Sequence, residues 1–160
     1  MAYLTILQTA FGSVKDILEG LTRIKELKGE KSGVKNMLMI ELELNISLLV
    51  YDYLENNLDE RTTIEQLKSA AIQTALEKDY DFIKLKKGKI KAAVLPKDEY
   101  YVRFKEDDTV KLFQKIQVKI TELKRSIELY DTFSHKKLRL NVRLKNLLKL
   151  LLVTARHISS

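Results

Sequence analysis

Residues 108–132 read DTVKLFQKIQVKITELKRSIELYDT, and this stretch decides the fold. Leu112, Ile116, Ile120, Leu123, Ile127 and Tyr130 recur at steps of 4, 4, 3, 4 and 3. That spacing lays one apolar stripe along a helix and is close to a heptad seam. Asp107 and Asp108 are good capping residues, so the pattern predicts a helix from about Asp108 to Thr132. At 1.5 Å per residue it is roughly 35 Å long, and only another long helix can cover such a stripe.

The same period extends in both directions. Residues 135–157, HKKLRLNVRLKNLLKLLLVTARH, place Leu140, Leu144, Leu147, Leu148, Leu151 and Ala155 on one stripe, behind a candidate cap at Ser134. Upstream, Leu4, Leu7, Phe11, Val14, Leu18 and Leu21 predict one helix from about Ala2 to Lys28, ended by Gly29. A second helix is expected over about Val34 to Asn57. A shorter one follows from Thr62 or Thr63 to about Lys78, where Thr63 and Gln66 have capping-box spacing. Short connections at 28–33 and 132–135 predict antiparallel hairpins.

The expected fold is therefore all-α. It is an antiparallel four-helix bundle of long helices, with a short fifth helix and an irregular insertion on the crossover. The insertion covers about residues 80–106. It holds Tyr80, Phe82, Tyr100, Tyr101 and Phe104, and the alternation around Lys87–Gly88 could form a short hairpin. Residues 1–160 read as one domain, which suits a chain of 160 residues with 45% hydrophobic and 32% charged side chains.

Charge is distributed unevenly. The net charge is +7, yet residues 1–131 carry 22 basic and 22 acidic side chains. The excess lies in the last segment: Lys136, Lys137, Arg139, Arg143, Lys145, Lys149 and Arg156, with no acid among them. Such a helix can hold nucleic acid or an acidic protein partner by charge. It can equally be a solvated face whose stems lie on the core. Lys86, Lys87 and Lys89 form a second basic cluster beside aromatic residues, a composition that can bind single strands by charge and stacking.

The second helix is apolar nearly all round. Glu41, Asn45 and Asp52 share one face of it, a candidate buried polar layer with Lys124, Arg125, Arg139 or Arg143 as partners. Leu150, Leu152 and Val153 lie off the main stripe of the last helix. Together with the all-round apolar second helix they predict a homodimer.

Catalytic chemistry finds few residues. There is no cysteine, and the two histidines are His135 and His157. No phosphate-binding glycine loop or nucleophile elbow occurs. No metal site and no small-molecule cofactor is expected. No apolar run approaches the roughly 20 residues of a membrane span, and no charged signal precedes residues 1–10, so a cytoplasmic protein with no membrane partner is expected.

The helix layout is similar to that of HEPN-class helical ribonucleases, which carry Arg-x(4–6)-His on a late helix. Here Arg143 stands 14 residues before His157, and Arg156 adjoins it. The resemblance is one of architecture and carries over no catalytic residue. The chain is also similar in layout and charge to small basic four-helix proteins that bind RNA in assemblies. The expected function is a non-enzymatic binding or assembly module, with an unusual HEPN-like ribonuclease as the alternative.

Overall fold

The computed structural model of the chain describes residues 2–27, 33–129 and 138–160. Its helices are α1 (Ala2–Phe11), α2 (Val14–Leu27), α3 (Gly33–Ser47), α4 (Glu60–Gln66), α5 (Ala70–Glu77), α6 (Thr109–Glu128) and α7 (Leu140–Ser159). α3 runs directly into a π-helical segment, Leu48–Glu55. Helix packs on helix throughout, and no strand occurs among the described residues.

Several expected helices are divided. The first breaks at Gly12, whose φ of 80° only glycine adopts readily. Its N–H bonds the Gln8 carbonyl at 2.9 Å and closes α1, while the Ser13 carbonyl opens α2 by accepting from Ile17 at 3.2 Å. The short helix also divides, into α4 and α5. Its cap is Asp59, which accepts from the Thr62 N–H at 2.9 Å, and not Thr63, which is buried inside α4. The expected caps at Gly29 and Ser134 lie outside the described residues. Asp108 does cap α6, accepting from the Lys111 N–H at 3.0 Å.

The insertion contains no hairpin among the described residues. It makes three 3-10 turns, Phe82–Lys84, Ala92–Val94 and Glu99–Phe104, with one isolated antiparallel bridge between Lys89 and Asp108. Its aromatic residues turn inward: Phe82, Tyr101 and Phe104 are buried.

α7 is the central helix, packed against α6, α2 and α3. Its four consecutive apolar residues Leu150, Leu151, Leu152 and Val153 point to every side and are all 0% exposed. Leu150, Leu152 and Val153, one of the two grounds for the expected homodimer, are therefore interior. α6 runs antiparallel to α7: Ser126 meets Arg143 at one end, and Thr109 meets His157 at the other. α3, apolar nearly all round, presents Met37, Ile40 and Leu44 to solvent.

The polar face of α3 explains the break between α4 and α5. Glu41 and Asn45 are buried. Glu41 accepts from the Ala71 N–H at 2.8 Å and the Ile72 N–H at 3.1 Å, so it caps the first turn of α5 from another helix. Asn45 donates to the Lys68 carbonyl at 2.7 Å and accepts from the Lys68 N–H at 2.9 Å. The partners are backbone groups and not the arginines or Lys124 that the sequence suggested. Asp52 does not belong to this layer and is exposed. It lies in the π-helical segment that begins at Leu48, in the lining of a groove that Glu41 also reaches.

Candidate polyanion-binding face

The cations of the last helix are largely committed to packing. Lys145 Nζ lies 4.8 Å from the Tyr3 ring, and Lys149 Nζ lies 4.4 Å from the Tyr100 ring. Both stems thereby help seat α1 and the Glu99–Phe104 turn on α7. Arg156 donates to the Ala10 carbonyl at 3.3 Å, at the C-terminal end of α1. Arg143 donates to the Ser126 hydroxyl at 2.5 Å. Arg139 is exposed at φ 51°, just before α7, and Lys136 lies outside the described residues.

The lysine loop is similarly engaged. Lys86 Nζ donates to the Ser160 carbonyl, and Lys89 pairs with Glu106 at 2.9 Å. Lys87 is exposed. Stacking on bases has little support here, because the aromatic rings are buried or covered. The Tyr100 ring carries Lys149 and also Arg103, whose Cζ is 4.1 Å from its centroid.

A denser basic site lies elsewhere. A groove of about 470 Å³ runs between the Glu99–Phe104 turn and α6. Arg103, Lys111, Lys115 and Lys119 line it, over apolar Phe104 and Val118. The three lysines stand at i, i+4 and i+8, on one face of α6. Lys115 Nζ pairs with the buried Asp107 at 2.5 Å and lies 5.4 Å from the Phe104 ring. Glu122 is the carboxylate of the lining. Partial burial lowers the pKa of the Lys119 ammonium. Glu122 opposes that shift, while Arg103, Arg143 and Lys115 all reinforce it. Cations from three separate elements thus crowd one amine.

Sequence reasoning missed this groove. The α6 lysine row was legible as a period of four, but the overall neutrality of residues 1–131 concealed it. Arg103 could be placed beside it only by the fold. A larger groove, about 800 Å³, lies between α3 and the α4–α5 break. Its charges are mixed, with Glu41, Asp52 and Glu65 against Lys68 and Lys124, so it is no concentrated basic site.

His157 is buried. The Thr109 hydroxyl donates to the Lys86 carbonyl at 2.8 Å and faces His157 Nε2 at 3.1 Å. With the hydroxyl proton committed, Nε2 carries the proton of the second bond, which assigns the neutral Nε2–H tautomer. This histidine ties α7 to α6 and the lysine loop. His135 lies outside the described residues. Among the described residues, no cluster of three or more His, Cys, Asp or Glu side chains could hold a metal ion, and no helix is long and apolar enough to cross a membrane. No protein-family model, curated protein or solved structure matches the chain.

Proposed function

We propose that this protein is a non-enzymatic binding module that holds nucleic acid by its phosphates. The binding face comprises the α6 lysine row, Arg103 and the flank of α7 around Arg143. The frame is read as an antiparallel four-helix bundle of α2, α3, α6 and α7, working in the cytoplasm. The observation that carries the reading is the open groove whose lining gathers Arg103, Lys111, Lys115 and Lys119 against the single carboxylate of Glu122. Like charges gathered this closely repel one another, and a polyanion relieves that repulsion. The shortage of exposed aromatic surface favours phosphate contacts over base contacts, so binding is expected to be nearly independent of sequence.

Fluorescence anisotropy with mixed-sequence DNA and RNA over a salt series tests this. The logarithm of the affinity is expected to fall linearly with the logarithm of salt. Changing Lys111 and Lys119 together to Gln is expected to reduce the slope by about two, one for each lysine–phosphate pair removed. Absence of binding at low salt overturns the reading. Cleavage of RNA that is lost in a histidine-to-alanine variant moves the assignment to the ribonuclease alternative. Binding confined to an acidic protein moves it to the other partner class.

The homodimer is carried forward only on α3, where Met37, Ile40 and Leu44 form an exposed apolar row at steps of three and four. Light scattering of the wild type and of Ile40→Glu tests it. A mass of 18.6 kDa for both at high micromolar concentration overturns it.

A further inference from the structure

We infer that the groove between residues 99–104 and α6 is an acyl-acceptor site, in which Arg103 and Lys115 seat an anionic acyl phosphate and Lys119 is acylated by it. The inference rests on the same groove taking phosphate, but not on nucleic acid being the ligand.

The geometry supplies both requirements of the reaction. Arg103 and Lys111 flank Lys115 and Lys119 in the lining and concentrate a phosphorylated anion there. Phe104, buried beneath the groove, and Val118, exposed along it, give it an apolar contact surface for the acyl group. Lys119 is half-buried between these features. Lys111 is exposed and Lys115 is paired with Asp107, which leaves Lys119 as the half-buried amine of the lining. Its ammonium loses a proton more readily than an exposed lysine because it is desolvated, and the charges of Arg103, Arg143 and Lys115 add to that. Glu122, three residues further along α6, is the acid that offsets part of this.

In the reaction, neutral Nζ attacks the carbonyl carbon of the acyl phosphate. The N–C bond forms, the bond from that carbon to the phosphate oxygen breaks, and inorganic phosphate leaves with the electron pair. The nitrogen then gives its extra proton to water. No oxidant, reductant or further reactant is needed. The product amide is neutral, so one cation disappears from the middle of the proposed binding face. Acylation would therefore weaken polyanion binding.

The test incubates the full chain with acetyl phosphate and follows each lysine by mass spectrometry. Lys119 is expected to be acetylated several-fold faster than the exposed Lys87 and Lys97. An excess of inorganic phosphate is expected to slow Lys119 selectively. In Lys119→Arg, which keeps the charge, the fast site is expected to vanish. Equal rates at Lys119 and Lys97, no protection by phosphate, or persistence of the fast site in Lys119→Arg each overturn the inference. Fast, phosphate-protected acetylation in a protein that binds no nucleic acid supports this inference while removing the nucleic-acid reading. Salt-dependent nucleic-acid binding with unselective acetylation does the reverse.

Discussion

Glu41 is a carboxylate inside an apolar helix that takes its partners from the backbone of another segment. Glu41→Ala leaves the Ala71 and Ile72 N–H groups without acceptors in a buried site, and the expected cost is about 2–4 kcal/mol. Urea unfolding checks this, and Glu41→Gln is expected to cost less because one carbonyl oxygen remains. His157 carries a pH dependence. Burial, with Lys86 adding to it and Asp108 opposing, lowers its pKa in the folded chain below the value of 6.5. The unfolded chain therefore takes up this proton first as pH falls. The contribution of His157 is fully present above pH 6.5 and is lost on acidification below it. The urea midpoint is expected to drop more steeply between neutral and mildly acidic pH in the wild type than in His157→Gln. His135 is present in both proteins, so the difference isolates His157.

Among the elements, two breaks turn one long and one short expected helix into four. Gly12 has open space around the position of a Cβ, so the penalty for Gly12→Ala comes from the backbone alone. The residue sits at φ 80°, and the expected loss is about 1–2 kcal/mol, read from the thermal midpoint. An unchanged midpoint would mean that α1 and α2 can fuse into one helix without disturbing the core. The break at residues 67–69 has a different cause. Its backbone groups are drawn toward Asn45, so Asn45 supplies in the fold what a turn-forming residue supplies in sequence. Beyond Ser47 the chain is π-helical, and Asp52 in that segment is exposed. A nearby carboxylate thus leaves the buried layer although its spacing from Glu41 and Asn45 looks regular.

For the whole molecule, the arrangement turns on α7. Leu150 tests that arrangement, because the sequence placed it off the buried stripe whereas the fold encloses it completely. Leu150→Ala is expected to cost about 2–5 kcal/mol by denaturant unfolding, as deletion of fully buried leucine methyls does. A surface leucine would cost less than about 0.5 kcal/mol. The placement of α7 also redistributes the charge. A helix with apolar residues on all sides has little free surface, so its lysines and arginines lie along the seams with α1, α6 and the 99–104 turn. The exposed basic face is built mainly from α6 and Arg103, not from the most basic segment of the sequence.

Local pattern is enough to make the chain helical, to start α6 and to turn Glu41 and Asn45 inward. Apolar spacing and capping chemistry are local, and the 4-4-3 recurrence in residues 112–127 admits no strand. The charge total follows from composition alone, because it is a sum. What each polar group meets depends on the packing of distant segments. Glu41 reaches Ala71 and Ile72 across 30 residues of chain, and no spacing rule anticipates a carboxylate capping a distant helix. Which helix becomes central was likewise a tertiary outcome. α3 and α7 are both apolar on more than one side, and α7 is enclosed because α2, α3 and α6 all pack against it. The Lys119 cluster was decided in the same way. Arg103, Lys119 and Arg143 sit on separate elements, and electrostatic crowding depends on distance in space, not on position along the chain.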